Sequence, residues 1–430
     1  MNNILIEPVR ESWSSLVQRP QNNAATIDSD VSEILRDVKE NGDEALSKYS
    51  FKFDGFAPEN LLVSTEEIEE AANNIEPGLK KAILLAKNNI EKFHAAQVVK
   101  KVKKIKTTAG VTCWRKNVPV ENVGLYIPGG TAPLFSTLLM LGIPALLAGC
   151  KNIIICTPPD RDGKINATIL FVANILGLTN IYKAGGAQAI AAMAYGTRSI
   201  PKVDKIFGPG NSYVTCAKKL VSIEGTAIDM LAGPSELAVY ADETSVPSFI
   251  AADLLSQAEH GIDSQVILVA SNIDIIENVV IEISIQMSSL SRKDIINQSL
   301  AFSRLILIGD VKNAFDFLNL YAPEHLIIAS ENAKQLSKYV SNAGSVFLGN
   351  YSSESSGDYA SGPNHSLPTS GTANTFSGVS VDSFVKKITF QKISKKGIEN
   401  IGPSVEAMAE AEGLDAHKSA VSIRLKHLGV

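Results

Sequence analysis

Apolar and polar positions along the chain fall into two textures. From Val31 to about Gln97, apolar residues such as Ile34, Leu35 and Val38, then Ala82, Leu84, Leu85 and Ile90, recur at mixed spacings of three and four. That period lines one stripe of an α-helix, so the stretch is predicted to be helical. From Val118 the texture changes to short β-branched runs alternating with Ala- and Leu-rich segments. Strands are predicted at 153–156, 181–183, 205–207 and 236–240, and in a second series at 265–269, 305–308 and 345–348, with helices around Ala251, Ile275, Ala314 and Gln335. Such alternation favours a mostly parallel sheet, because parallel strands need crossover connections of helical length. The economical reading is an α/β fold of two tandem Rossmann-like, incompletely doubly wound modules, with a helical N-terminal region and a small C-terminal helical segment.

A chain of 430 residues allows two or three domains. The pattern divides it into a helical region at 1–117, part of which can pack on the second module, a first module at 118–240, a second at 241–380 and a tail at 381–430. The tail is too small to hold a core alone, so it is expected to contact a partner subunit. With 45% hydrophobic and 20% charged residues the composition is that of a folded globular protein. A net charge of −5, with no basic run beyond the Lys100, Lys101, Lys103, Lys104, Lys106 cluster, argues against a nucleic-acid partner. That cluster reads as a solvated strand or hairpin face. The longest apolar run, 134–150, carries Ser136 and Thr137 and contains Pro144, which is expected to break it short of the ~20 residues a membrane span needs. Glu7 interrupts the start and no basic leader precedes it, so a cytoplasmic protein is expected. Cys113, Cys150, Cys156 and Cys216 lack CxxC spacing and read as buried thiols.

Candidate chemistry sits in a few places. Helical periodicity puts Gln257 and His260 at i and i+3, a spacing that can offer two ligands to one metal, although surface or capping roles are the commoner use of such a pair. Pro323 fixes the backbone before Glu324 and His325, adjacent titratable groups suited to acid/base work or, more simply, to a solvated helix start. Glu412 and His417 flank Gly413, a break that either aims both at one point or forms a plain turn. The segment 350–378 is rich in Ser, Gly and Thr like a linker, yet carries Asp358 and His365. Glycine turns at 129–130, 185–186, 208–210 and 233–235 adjoin predicted strands, where a doubly wound sheet binds ligands, although none matches GxGxxG.

Together these segments resemble the histidinol dehydrogenase family. The resemblance rests on VGLYIPGG at 123–130, AGGAQA at 184–189, IFGPGN at 206–211, IDM at 228–230, AGPSE at 232–236, LSQAEHG at 255–261, APEHL at 322–326, GSVFLG at 344–349, SGDYASGPNH at 356–365 and EAEGLDAHK at 410–418. Leu231 departs from it, where the family favours proline. The resemblance implies a zinc-dependent, NAD-linked oxidation of L-histidinol through L-histidinal to L-histidine, at the end of histidine biosynthesis. By the same resemblance Gln257, His260, Asp358 and His417 hold one zinc per subunit, and Glu324 and His325 are the acid/base pair. Ser235 and Glu412 join His325 and the four zinc ligands around the substrate, while Tyr126, Gln188 and Asn211 meet NAD. A homodimer in which the C-terminal segment completes the partner's site is implied as well. The ligands alone would also serve a zinc hydrolase with Glu324 activating water.

Overall fold

The computed structural model describes residues 4–20, 24–129, 133–230 and 233–430. Gly130 and Leu231 lie outside the described residues. In chain order the strands are β1 (Ile4–Ile6), β2 (Lys104–Thr108), β3 (Val111–Pro119), β4 (Asn122–Tyr126), β5 (Asn152–Thr157), β6 (Ile181–Lys183), β7 (Lys205–Phe207) and β8 (Ala227–Ile228). The second half adds β9 (Glu236–Ala241), β10 (Gln265–Ala270), β11 (Arg304–Leu307), β12 (His325–Ala329), β13 (Ser345–Leu348) and β14 (Val385–Ile393).

Two parallel sheets carry the tandem modules, as the alternating pattern predicts. The first runs β6-β5-β4-β7-β8 and the second β1-β11-β10-β9-β12-β13. Each is buried on both faces, which is why its strands read as continuous apolar runs rather than alternating ones. Val123, Leu125, Ile153 and Ile155 face one core of the first sheet, with helices Pro77–Ala95, Phe135–Ala148 and Ala167–Leu176. Tyr126, Ile154 and Cys156 face the other, with helices Ala24–Asn41, Gly186–Tyr195 and Ser212–Ile223. The second sheet is layered the same way, Leu237, Val239 and Leu268 on one side and Ala238, Tyr240 and Ile267 on the other. A third, antiparallel sheet, β14-β3-β2, pairs the chain before the first module with the chain after the second.

Several expectations change. The N-terminal region is not purely helical: β1 pairs in parallel with β11 at the edge of the second sheet, and Trp13 enters that sheet's core. Three residues are too few to show a period, so Ile4–Ile6 was invisible as a strand. The helix Phe135–Ala148 runs straight through Pro144. Proline at that position removes the N–H that would bond the Met140 carbonyl one turn back. The Asn364 side-chain amide supplies the missing donor to Met140 O, so the acceptor is satisfied and the helix continues. Among the described residues no helix is long and apolar enough to cross a membrane.

Strand order reverses at β4/β7 in the first sheet and at β9/β12 in the second. Such switch points leave a crevice between the diverging connections. In the first sheet the sequence-predicted residues follow that rule, since Tyr126 ends β4 and the 208–211 turn follows β7, both at the carboxyl edge. The second sheet inverts it. Ser235 precedes β9, His325 opens β12, and Gln257 and His260 lie where a helix returns the chain to β10, all at the amino edge. The 233–235 turn is therefore not at the carboxyl edge that a doubly wound sheet favours.

Candidate functional site

At the amino edge of the second sheet, Pro323, Glu324 and His325 lead into β12. The preceding helix Val311–Tyr321 stops at Ala322, whose φ of +48° is left-handed, and the chain turns inward instead of starting a solvated helix. Glu324 and His325 are both buried. Gly344 lies against this turn so closely that a Cβ there would stand 2.5 Å from the Glu324 carbonyl oxygen, which makes glycine obligatory.

The His325 ring is oriented by the backbone. Its Nδ1 lies 3.3 Å from the Glu236 carbonyl oxygen, and a carbonyl only accepts, so Nδ1 carries the proton. Nε2 is buried with no hydrogen-bond partner, 3.6 Å from the nearer Asp358 oxygen, and is the ring nitrogen left to exchange a proton. Burial alone would lower the imidazole pKa, but the carboxylates of Glu324, Asp358 and Glu354 outweigh it and raise it to about 10. Glu324 accepts the Glu236 N–H at 2.9 Å, and loss of water pushes its carboxyl up to about 8 against the attraction of His325. Burial would also raise Asp358, but its contact with His325 wins and holds it down. The result is a strong, oriented proton acceptor beside a carboxyl with unusual proton affinity.

Around this pair stand three of the four predicted metal ligands, Gln257, His260 and Asp358, together with Glu354, which was not predicted. His260, Asp358 and Glu354 each bring one ligand atom within 4.8 Å of the others. His260 falls just past the helix Pro247–Ala258 rather than on it, its N–H reaching back to the Gln257 carbonyl at 3.3 Å. Gln257 is buried in the last turn of that helix. Asp358 sits in a short helix, Glu354–Tyr359, inside the stretch that composition assigns to a linker. A cleft of about 330 Å³ opens beside His325 and Asp358, lined also by Phe347, Tyr351, Asn364 and His365. The donor set of imidazole, carboxylate and amide oxygen suits a divalent ion such as zinc. Ser235 is half-buried just before β9. Glu412 and His417 stand apart and exposed, Glu412 capping the end of helix Lys395–Ala411 and His417 on helix Asp415–Leu428; the two helices pack on each other and the first also on β14.

A second polar site lies at the carboxyl edge of the first sheet. Gln188 is 1% exposed, yet both its amide atoms lack partners, as does the Thr157 hydroxyl at the end of β5. Tyr126 Oη accepts the Gly186 N–H at 3.0 Å and keeps its own proton to give. Asn211 caps the helix Ser212–Ile223 through Oδ1 and is exposed. Buried polar atoms without partners are costly, so these suit a polar ligand such as a dinucleotide. The turn before Asn211 is locked from beneath. Lys218 and Asp229 form a buried 2.5 Å ion pair, Lys218 donating to the Gly208 carbonyl and Asp229 accepting the Gly208 N–H, each at 2.8 Å. Gly208 has φ +125°, and a Cβ there would meet the Tyr126 carbonyl oxygen at 2.1 Å.

Sequence reading missed Glu354, Lys218, Asp229 and Arg19, whose guanidinium holds Glu236 through two 2.9 Å bonds. For Glu354 a signal existed, since it lies four residues before Asp358, one helical turn. It also missed Asp54, half-buried with an unpartnered oxygen, whose carboxyl burial pushes up to about 6. An unfolded-chain aspartate titrates near ~3.9, so the folded protein holds this proton more tightly. That contribution favours the fold at low pH and is lost as pH rises between about 4 and 6. Asp54→Asn is therefore expected to raise the melting temperature at neutral pH, with the difference closing as pH falls towards ~4. A melting series across that range checks it, and an equal Tm at neutral pH contradicts it.

The histidinol dehydrogenase family model matches residues 17–425 of the chain. Histidinol dehydrogenase of Bacteroides fragilis is 54% identical over 421 residues, covering 98% of both chains. That of Bacteroides thetaiotaomicron is 53% identical over 428 residues, covering 100% of both. The crystal structure of histidinol dehydrogenase from Elizabethkingia anophelis matches with a TM-score of 0.97 at 55% identity, over 100% of this chain and 99% of that one. A match that runs through both polar sites and both modules leaves no other assignment: the chain belongs to the histidinol dehydrogenase family.

Proposed function

We propose that the protein oxidises L-histidinol to L-histidine through L-histidinal with NAD as oxidant, as a cytoplasmic homodimer holding one zinc ion per subunit. The observation that carries this reading is the buried Glu324–His325 pair, with an unpartnered Nε2, set beside the His260 and Asp358 donors in a chain of this family. When bound, NAD accepts a hydride in each of the two steps, and zinc held by Gln257, His260, Asp358 and a partner's copy of His417 orients the substrate and polarises its donor atoms. The rest falls to the protein. Nε2 of His325 takes the hydroxyl proton of the alcohol as the carbon is oxidised. The aldehyde must then add water before it can lose a second hydride, and the raised proton affinity of Glu324 fits it to remove the water proton. His325 takes the hydroxyl proton of the hydrate in the second oxidation. Summed, one histidinol, one water and two NAD+ give histidine, two NADH and three protons. Tyr126, Gln188 and Asn211 hold the cofactor at the other polar site, and Ser235 and Glu412 contact the substrate.

The experiment is a steady-state assay. Histidinol and NAD are expected to give two NADH per histidinol, activity is expected to fall after chelation and to return with zinc. Absence of NADH formation by the metal-loaded protein overturns the reading. Full activity in chelated, verified metal-free protein overturns its zinc component.

A further inference from the structure

Glu354 is a buried carboxylate that the chemistry above does not use. It opens the short helix Glu354–Tyr359 and is 1% exposed, one turn from the second carboxylate, Asp358. Burying an acid beside another acid is unfavourable unless its oxygens do something specific. Both are occupied by the same neighbouring helix, Pro247–Ala258. The Ser256 hydroxyl donates to Oε2 at 2.9 Å. The Gln257 side-chain amide lies 3.1 Å from Oε1, and only when its nitrogen faces Glu354 does its oxygen accept the Glu236 N–H at 3.2 Å. The Glu354 backbone N–H in turn bonds the Asp253 carboxylate, fixing the two helices at this point.

The Glu236 N–H can only donate, so the Gln257 end that faces it is the oxygen and the end left for Glu354 is the nitrogen. An amide oxygen has two lone pairs and can serve an N–H and a cation together, whereas an amide nitrogen has none to offer. We propose that Glu354 is a positioning residue for the metal site: by holding the Gln257 nitrogen, it delivers the Gln257 oxygen as the donor, without itself being a ligand. This rests on the reading of Gln257, His260 and Asp358 as metal ligands. Groups that orient first ligands in this way commonly change metal affinity 10- to 100-fold.

The test is the dissociation constant and visible absorption spectrum of Co2+ in the full-length dimer, measured for wild type, Glu354→Gln, Gln257→Ala and the double variant. Glutamine at 354 fits the space but can present either end to Gln257. Glu354→Gln is expected to weaken Co2+ binding about tenfold with an unchanged spectrum, and to have less than about a threefold effect once Gln257 is alanine, because it acts through that side chain. Ser256→Ala, which loosens Glu354 without altering its charge, is expected to weaken binding a few-fold and guards against a folding defect in the first variant. Equal losses in both backgrounds with a shifted spectrum would make Glu354 a ligand and overturn the proposal. Unchanged affinity in both Glu354→Gln and Ser256→Ala, while Asp358→Asn loses metal, overturns the proposal alone. If wild type binds no Co2+ or Zn2+, the metal reading falls and this inference falls with it.

Discussion

His325→Asn is expected to slow both oxidations by about 100- to 10,000-fold, because each hydride transfer must be accompanied by loss of a proton from oxygen. Asparagine keeps a donor near the Glu236 carbonyl, so the ring's orientation partner at 3.3 Å remains satisfied while the basic Nε2 is lost. Rates in wild type should rise with pH, since the carboxylates around the imidazole strengthen its hold on a proton and only the unprotonated ring can act as base. In His325→Asn that rise should flatten. Glu324→Gln should behave differently. The first oxidation needs only a base for the hydroxyl, whereas the second also needs water added to an aldehyde, so Glu324→Gln is expected to slow histidinal oxidation by the larger factor. Single-turnover reactions started from the alcohol and from the aldehyde separate the two steps. Equal losses in both for Glu324→Gln would leave that carboxyl as an orienter of His325 rather than an activator of water.

The alternating texture beyond Val118 was enough to place the two modules, because buried parallel strands such as Asn152–Thr157 and Gln265–Ala270 leave unbroken β-branched runs. The glycine turns and the adjacent pair Glu324 and His325 were legible for the same local reason. What was not legible depended on partners hundreds of residues away. Pro144 looks like a helix breaker until Asn364 is known to satisfy the Met140 carbonyl. Ile4–Ile6 becomes a strand only because β11 lies beside it. Glu236 looks like an ordinary strand residue, yet its backbone N–H bonds Glu324 and its side chain bonds Arg19, 217 residues away. Nor does any local pattern tell which edge of the second sheet bears the site, since that follows from where the helix Pro247–Ala258 ends relative to β9 and β12. The proposed metal set of Gln257, His260, Asp358 and His417 has no common period, and only the family resemblance assembles it.

Mixing two inactive variants, Glu412→Ala and His325→Asn, is expected to restore activity, because the two residues are proposed to meet only across a dimer. Glu412, at the end of the first tail helix, and His417, on the second, are both exposed, while His325 is buried at the amino edge of β12. The tail packs on β14, and the sheet it extends leaves Ile105, Ile388, Phe390 and Ile393 exposed, with Met408 and Ile423 exposed on the helices themselves. Apolar surface of that extent on a small, coreless unit is more economically covered by a second copy than left in water. In a hybrid dimer with shared sites, one site carries both substitutions and the other carries neither. Random reassortment makes about half the dimers hybrids, so about a quarter of all sites become intact. Activity should therefore rise from near zero to about a quarter of wild type, after unfolding and refolding or co-expression has exchanged the subunits. If both residues served one chain's own site, every site would keep one substitution and hybrids would stay inactive. Tagged subunits show whether hybrids have formed, and silent hybrids would place Glu412 in the site of its own chain or outside the chemistry altogether.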